Sequence, residues 1–257
     1  MQIRDAVKKQ RLLVAGHRGY MAKYPENTLL SIQKSIELGV DMIEIDIALS
    51  KDLIPVLCHD DTLDRTTSGS GLVSDFTLEE LKTLDAGIKR DTQFEGLPIP
   101  SFAEFCDFMR DYPNILLNVD LKHGEHVLQA TEIVLDIVKK YEYAERCVFN
   151  SLDGRVTAHI HKHGLFSEGA PMGFYGMSHF DEGDKGTYSA MDAICLNIRD
   201  IHKEKVQYFK EKGLQVWCWG TDDEESMRRA VDCGVTLVVC NDPRAALKIR
   251  SELGSVE

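Results

Sequence analysis

The sequence lacks the features that would place this protein in a membrane or on nucleic acid. No apolar run approaches the ~18 residues that a bilayer-spanning helix needs. Lys and Arg number 30 against 42 Asp and Glu, so the formal net charge is −12, and a surface of that sign repels phosphate backbones. The first residues carry charges but no apolar core, so no secretory signal is visible. We therefore expect no nucleic-acid partner and no stable membrane anchor.

The sequence also lacks any pair of cysteines separated by only two residues. Its seven cysteines are scattered, and an odd number in this arrangement is typical of reduced thiols. Reduced thiols favour a cytoplasmic location. Hydrophobic residues make up 43% of the chain, which is ordinary for a globular protein and too high for a disordered one.

Short apolar runs rich in β-branched residues alternate with stretches of helical period along most of the chain. The predicted strands are 11–16, 42–49, 54–58, 115–121, 147–150, 172–176, 193–198, 214–219 and 237–241. The predicted helices are 28–38, 101–111, 125–140, 153–163, 203–212, 223–233 and 243–252. Such alternation is typical of a parallel sheet wrapped by helices.

One predicted strand, 54–58, cannot belong to the parallel set. It follows 42–49 after only a few residues, whereas a parallel crossover needs a dozen or more, so the two form a β-hairpin extension of the second strand. Eight parallel strands remain, which predicts an α/β fold of the (β/α)₈ TIM-barrel type; an open doubly wound sheet is the alternative. We expect one domain over 1–257, with a small insertion at 60–100, where no strand–helix unit is evident.

Two carboxylates share one face of the second predicted strand. Glu44 and Asp46 are two residues apart, so both project into the barrel mouth. Uncompensated charge there is costly, and a hard divalent cation such as Mg²⁺ or Ca²⁺ would relieve it because these ions prefer oxygen ligands. Structural carboxylates bonded to Arg or to the backbone are the alternative. A hairpin turn centred on residues 51–52 would place His59 opposite Glu44, beside this pair.

Two more strand ends carry polar side chains. The first strand ends in a Gly-His-Arg-Gly run that contains His17 and Arg18, and the strand at 115–121 leads to Asp120 and Lys122. Because barrel active sites form at the carboxyl ends of strands, we expect these side chains at one mouth. Histidines exchange protons near neutral pH, and Arg binds phosphate through a planar fork. A loop histidine, a surface arginine and an ordinary salt bridge are the alternatives.

An ordered series of motifs extends these observations along nearly the whole chain. The motifs are His17-Arg18-Gly19, Pro25-Glu26-Asn27-Thr28, Gly39 through Asp46, Pro55 through Asp60, Leu63 through Thr67, Gly69-Ser70-Gly71, Leu84 through Gly87, Val216 through Asp222 and Gly234 through Pro243. In this order they resemble the glycerophosphodiester phosphodiesterase family. The resemblance implies a TIM barrel with a small insertion after the second strand. It also implies metal-dependent hydrolysis of glycerophosphodiesters, such as glycerophosphocholine or glycerophosphoethanolamine, to sn-glycerol 3-phosphate and an alcohol.

The resemblance assigns roles by position to the residues that match the motifs. It implies that His17 and His59 are the acid–base pair. It implies that Glu44 and Asp46 bind one divalent cation. Asp120 stands where the family's Glu-x-Lys motif has Glu, so it would be the third ligand with a shorter arm. Sphingomyelinase D-type enzymes have a similar Glu, Asp, Asp arrangement, so this substitution is compatible with metal binding.

The substrate-binding residues follow in the same way. The resemblance implies that Arg18 binds phosphate, and Lys122 matches the Lys of the Glu-x-Lys motif. Trp219 could form a pocket wall that attracts a choline-like headgroup through a cation–π interaction, with core packing as its alternative.

The sequence departs from the family pattern near its C-terminal end. The family's Trp-Thr-Val-Asn is here Trp219-Gly220-Thr221-Asp222, and its Thr-Asp-x-Pro is Cys240-Asn241-Asp242-Pro243. We expect these positions at the mouths of the last two strands, where they could contact the alcohol or the glycerol. A lysophospholipase D-like or sphingomyelinase D-like enzyme acting on a lipid is therefore the alternative function. A non-catalytic binding barrel is less favoured, because it would be expected to lose a histidine or a carboxylate.

Overall fold

The computed structural model describes residues 12–122, 126–163, 170–178, 191–220 and 222–254. The strands in these ranges are β1 Leu13–His17, β2 Met42–Leu49, β3 Pro55–Leu57, β4 Leu116–Leu121, β5 Cys147–Asp153, β6 Ala170–Ser178, β7 Ala193–Asn197, β8 Gln215–Trp219 and β9 Leu237–Cys240. The α-helices are α1 Leu29–Leu38, α2 Leu78–Leu81, α3 Phe102–Phe108, α4 Val127–Lys140, α5 Gly154–His163, α6 Lys203–Glu211, α7 Glu224–Asp232 and α8 Arg244–Leu253. Short 3₁₀ helices are Val73–Asp75, Thr92–Phe94, Met109–Asp111, Ala144–Arg146 and Ile198–Asp200. None of the described helices combines the length and the apolar composition that crossing a bilayer requires.

Eight of these strands are parallel and pair in a ring. The order is β1, β2, β4, β5, β6, β7, β8 and β9, and β9 pairs again with β1. Helices follow most of the strands, as in the strand–helix alternation of a TIM barrel. The ring of pairings excludes the open doubly wound sheet.

The hairpin of β2 and β3 is antiparallel, but its register differs from the prediction by one residue. Ala48 lies opposite Val56, so the turn is centred on Asp52. The Asp52 carboxylate accepts the first backbone N–H of α2 at 2.9 Å, and this tertiary contact holds it at the turn. The predicted pairing of His59 with Glu44 is therefore wrong, and β3 ends before His59 is reached.

Alternate residues along β2, and along the other barrel strands whose side chains the structure describes, face different cores. Outward side chains such as Ile43, Ile45 and Ile47 pack against the helices in the larger apolar cluster. The inward side chains in the lower barrel form a second buried cluster: Leu13, Ala15, Met42, Leu116, Val148, Ala193, Cys195, Trp217, Leu237 and Val239. The next inward positions of β2 hold Glu44 and Asp46, as the alternation predicts.

The segment 60–100 packs around a small apolar cluster together with the end of the hairpin. That cluster is formed by Val56, Cys58, Leu63, Val73, Leu81, Ala86 and Ile99. The segment contains α2 and two of the 3₁₀ helices. The description of the chain as one domain with an insertion at 60–100 stays a prediction.

The helix α8 is fastened to the seam where the ring closes. Arg250 Nη1 lies 2.5 Å from Asp41 Oδ2, and Arg250 Nη2 donates to the Gly39 carbonyl oxygen at 3.1 Å. The same Asp41 oxygen accepts the backbone N–H of Val14 at 2.9 Å. One carboxylate therefore joins β1, the start of β2 and α8.

Candidate active site

A cavity of about 140 Å³ opens at the carboxyl ends of the barrel strands. Its lining residues are His17, Arg18, Glu44, Asp46, His59, Asn118, Asp120, Lys122, Leu152, Cys195, Trp219 and Val239. All eight site residues predicted from the sequence are among them. The structure therefore brings together side chains from β1, β2, β4, β8 and the segment after β3.

The loop after β1 directs Arg18 towards the carboxylates. The Arg18 backbone has a left-handed φ of 52°, and its N–H donates to Glu44 Oε2 at 2.9 Å. Gly19 follows at a φ of 85°, and a Cβ there would lie 2.5 Å from a backbone carbon of α1, so this close approach requires glycine. Arg18 Nε lies 3.0 Å from Asp46 Oδ2, and Nη1 lies 2.7 Å from Glu26 Oε1.

The carboxylates converge because β2 and β4 are neighbours in the ring. The register places Glu44 beside Asn118 and Asp46 beside Asp120. Oxygen atoms of Glu44, Asp46 and Asp120 lie within 4.8 Å of one another. Lys122 Nζ lies 2.5 Å from Asp46 Oδ1 and also pairs with the Asp120 carboxylate. The salt bridge that was the structural alternative for Lys122 is thus present, and it lies within the site.

The pKa values of the three buried carboxylates are shifted in different directions. The pKa of Glu44 is raised well above its usual value, because burial and the negative charges of Asp46 and Asp120 disfavour the ionised form. Burial also raises the pKa of Asp120, against the opposing effect of Lys122. The pKa of Asp46 is lowered, because Lys122 and Arg18 together outweigh its burial. The two cations therefore compensate Asp46 better than Glu44.

The donor set fits a hard divalent cation. All three side chains offer oxygen atoms, which Mg²⁺ and Ca²⁺ prefer. Asp120 Oδ1 is buried and accepts no hydrogen bond from any residue that the structure describes. An orphaned buried acceptor calls for an additional partner, and a cation would also relieve the repulsion around Glu44. These residues could therefore hold a metal ion.

His17 is held from behind by the end of β9. Its Nδ1 lies 2.6 Å from Asn241 Oδ1, and its Nε2 lies 3.8 Å from Glu44 Oε2. The parallel pairing of β1 with β9 brings the two residues together, because each follows directly on the paired part of its strand. Burial and the neighbouring Arg18 charge lower the pKa of His17, so its imidazole is predominantly neutral near pH 7.

His59 is held by a different arrangement, in the segment after β3. Its Nδ1 lies 2.6 Å from Asp60 Oδ1, and Arg65 Nε lies 2.6 Å from Asp60 Oδ2. Arg65 also pairs with Glu26 at 2.6 Å. Hydrogen bonds from Arg65 and His59 lower the pKa of Asp60 to about 2, so this carboxylate is ionised at neutral pH. The Cys58 backbone N–H donates to the Asp46 carbonyl oxygen at 3.1 Å, so the hairpin brings the chain to the cavity and the side-chain contacts orient His59 there.

A layer of polar side chains that supports the site was not predicted from the sequence. Asn27 Nδ2 donates to Asp46 Oδ2 at 2.8 Å, and Asn27 Oδ1 accepts the Asp46 backbone N–H at 3.3 Å. Glu26 links Arg18 to Arg65. Both residues belong to the Pro-Glu-Asn-Thr motif, and that position within the ordered motif series was the available signal.

The departures near the C-terminal end lie at the ends of the last two strands, as expected, but their contacts differ from those expected. Asn241 contacts His17, and its Nδ2 donates to Asp222 Oδ2 at 2.9 Å. The expected contact of these positions with the alcohol or the glycerol finds no support, because neither residue is among those that line the cavity. Trp219 does line it and is 40% exposed, so core packing was the wrong alternative. Thr221 lies outside the described residues.

Comparisons with known proteins agree on one family. The sequence profile of the glycerophosphoryl diester phosphodiesterase family matches residues 17–245. A glycerophosphodiester phosphodiesterase of Caldanaerobacter subterraneus subsp. tengcongensis is 32% identical over 249 residues, which cover 93% of this chain and 98% of that protein. A human lysophospholipase D is 27% identical over 276 residues, with coverages of 92% and 86%.

A solved structure adds the three-dimensional match. The structure of an Oleispira antarctica phosphodiesterase in complex with the product sn-glycerol-3-phosphate is similar with a TM-score of 0.83 and 26% identity. The match covers 93% of this chain and 96% of that one. The chain therefore belongs to the glycerophosphoryl diester phosphodiesterase family of enzymes.

Proposed function

We propose that the protein hydrolyses glycerophosphodiesters, such as glycerophosphocholine or glycerophosphoethanolamine, to sn-glycerol 3-phosphate and an alcohol. One observation carries the proposal: three carboxylates, two imidazoles and two cationic side chains surround one cavity. Together they supply ligands for a hard metal ion, groups that exchange protons and groups that bind phosphate. The name of the Caldanaerobacter relative and the product bound in the Oleispira structure support the same chemistry.

In this proposal Glu44, Asp46 and Asp120 hold one divalent cation, either Mg²⁺ or Ca²⁺. When bound, such an ion supplies Lewis-acid stabilisation of negative charge on a phosphate oxygen. The 4.8 Å cluster supports the inclusion of Asp120 although the family motif has the longer Glu at this position. Asn27 donates one hydrogen bond to the Asp46 carboxylate and accepts one from the Asp46 backbone N–H, so this ligand needs little rearrangement.

Arg18 and Lys122 bind the phosphate and stabilise the charge that grows on its oxygens. Their side chains are only 11% and 16% exposed, so solvent screens their charges weakly. Both lie against Asp46, and Glu26 orients the Arg18 guanidinium from its other side. The cationic groups are thus fixed beside the carboxylates before a substrate enters.

His17 and His59 transfer the protons of the reaction. One accepts a proton from the attacking glycerol 2-hydroxyl, and the other gives a proton to the leaving alkoxide, which departs as the alcohol. Water then opens the resulting cyclic phosphate to give sn-glycerol 3-phosphate. Each ring is anchored through Nδ1 at 2.6 Å, His17 by Asn241 and His59 by Asp60, which leaves Nε2 of each for the substrate. Trp219, on the same rim, contacts the alcohol headgroup.

A coupled assay for glycerol 3-phosphate tests this function. We expect release of this product from a panel of glycerophosphodiesters, loss of release with a chelator, and recovery on addition of Mg²⁺ or Ca²⁺. For the variants His17→Ala and His59→Ala, His202→Ala is the matched control, because His202 caps α6 and does not line the cavity. Release that is undiminished by the chelator would contradict the metal requirement, and no release from any diester would contradict the function.

A lysophospholipase D-like activity is the second candidate, and the human relative of that name favours it. Parallel assays with glycerophosphocholine and lysophosphatidylcholine separate the two. Faster turnover of the lipid would replace our proposal with the second candidate, and sphingomyelin in the same panel covers the sphingomyelinase D-like form. A non-catalytic barrel is disfavoured because both histidines and all three carboxylates are present. The cytoplasm remains the expected compartment.

A further inference from the structure

Three polar side chains connect the ends of β8, β9 and β1 behind the cavity. Asn241 Nδ2 donates to Asp222 Oδ2 at 2.9 Å, and Asn241 Oδ1 lies 2.6 Å from His17 Nδ1. The other Asp222 oxygen accepts the Asp242 backbone N–H at 2.9 Å, which fixes the carboxylate. The Ala22 backbone N–H donates to the Asn241 carbonyl oxygen at 3.1 Å, which fixes the asparagine backbone. Both residues that support His17 are therefore held in place.

The direction of each hydrogen bond follows from what the groups can donate. An ionised carboxylate only accepts, so Asn241 presents its NH₂ group to Asp222 and its carbonyl oxygen to His17. That carbonyl oxygen also only accepts, so His17 Nδ1 carries the hydrogen. In the neutral ring Nε2 is then unprotonated, and this nitrogen is the one 3.8 Å from Glu44 in the cavity.

We infer that Asn241, oriented by Asp222, is a positioning residue that fixes His17 in its Nδ1–H tautomer with Nε2 directed to the substrate. The inference rests on the proposed function, because the tautomer matters for catalysis only if His17 exchanges a proton with the substrate. It assigns both residues to the support of an imidazole, and neither to contact with the alcohol.

The same pair explains two departures from the family pattern as one exchange. The family motifs have Asn at the position of Asp222 and Asp at the position of Asn241. Here the amide and the carboxylate are exchanged, and the hydrogen bond between the two positions is present at 2.9 Å. His17 therefore contacts a neutral amide where the family pattern would place a carboxylate. The carboxylate of Asp222 contacts that amide and not the ring.

Long-range ¹H–¹⁵N spectra of protein labelled with ¹⁵N-histidine report the tautomer directly. The metal-free protein is studied at a pH where the imidazoles are neutral, and the signals of His17 are assigned by their loss in His17→Gln. We expect the Nδ1–H form in the wild type and a mixture of tautomers in Asn241→Leu, which keeps the side-chain size but removes the acceptor. Asn114→Leu is the matched control, because that asparagine is exposed in the turn before β4, at the opposite end of the barrel from the cavity, and should change neither tautomer nor turnover.

Turnover of a glycerophosphodiester gives the second readout. We expect kcat of Asn241→Leu to fall about 10²-fold with little change in KM, because the misplaced ring affects proton transfer more than binding. The double variant Asp222→Asn/Asn241→Asp restores the family arrangement and returns an acceptor to Nδ1. We expect it to regain the Nδ1–H tautomer and most of the lost kcat, and it can be tested even if Asn241→Leu does not fold.

Three results would overturn the inference. They are an Nε2–H tautomer of His17 in the wild type, an unchanged tautomer in Asn241→Leu, and a mixed tautomer in the double variant. The spectra require no substrate. A protein with the expected tautomers that releases no glycerol 3-phosphate from any diester would contradict the proposed function alone, so the two failures are distinguishable.

Discussion

The lower and upper halves of the barrel interior are built on the same strands but under opposite demands. In the lower half Met42 and Leu116 are fully buried among apolar side chains, and this burial stabilises the fold. Two residues farther along β2, Glu44 begins a group of buried carboxylates whose mutual repulsion opposes folding. Alternation along a strand thus decides which side chains face inward, whereas height along the strand decides whether they serve stability or chemistry.

The largest expected effect is a loss of turnover on substitution of a histidine in the upper half of the barrel interior. Replacing His17 or His59 with Ala in the upper half should lower turnover roughly 10²–10⁴-fold, because each imidazole is proposed to transfer a proton. We expect little change in the free energy of unfolding measured with urea. Undiminished turnover in either variant would remove that histidine from the mechanism.

Shortening a buried side chain in the lower half should have the opposite result: stability falls and turnover is kept. Leu116→Ala leaves a cavity in the buried apolar cluster and should lower the free energy of unfolding by about 2–5 kcal/mol. Turnover per folded molecule should stay near the wild-type value. Leu53→Ala is the control, because Leu53 is an exposed leucine in the hairpin turn. Equal losses of stability in the two variants would contradict the assignment of stability to the lower half of the barrel interior.

Neutralising an upper-half carboxylate should raise stability while it abolishes activity. Glu44→Gln removes one of three clustered negative charges, and we expect it to stabilise the metal-free protein by about 1 kcal/mol. The raised pKa of Glu44 means that the folded state binds its proton more tightly than the unfolded state does. This contribution to stability is therefore fully present below the unfolded glutamate pKa and is lost as pH rises through the folded value.

Urea unfolding of the metal-free wild type and Glu44→Gln over a pH series measures both effects. The decline with rising pH that Glu44 causes should be absent from the variant. A variant less stable than the wild type at neutral pH would show that the carboxylate contributes more through its hydrogen bond from Arg18 than it costs by repulsion.

The smallest expected effect concerns the rim. Trp219→Leu should lower kcat/KM for glycerophosphocholine about 2–5-fold, which corresponds to a cation–π interaction at a partly exposed site. A glycerophosphodiester with an uncharged alcohol is the control and should be unaffected. Equal loss with both substrates would assign Trp219 to general packing of the cavity wall.

Local sequence pattern was sufficient for the features that depend on one strand at a time. The spacing of Glu44 and Asp46 predicted their shared inward face, and the positions of His17 and Asp120 at strand ends predicted their place at the mouth. The short separation of 42–49 from 54–58 predicted the antiparallel pairing that the structure has. In each case backbone geometry alone determines the outcome.

Features that depend on contacts distant in sequence could not be predicted. The bond between the Asp52 carboxylate and α2 spans 26 positions of the chain, and local alternation does not reveal it. Asn241 was visible only as a departure from the family pattern, because its contact with His17 spans 224 positions of the chain and requires the closed ring. Pairing of β1 with β9 therefore had to be known before the role of this asparagine could be inferred.

That pairing also has a consequence for biosynthesis. β1 leaves the ribosome more than 200 residues before β9, so one of its edges stays without a partner throughout most of translation. Arg250, which fastens the seam to Asp41, is translated later still. The nascent chain must consequently keep an apolar edge strand from pairing with other chains until the last strand and helix have been made.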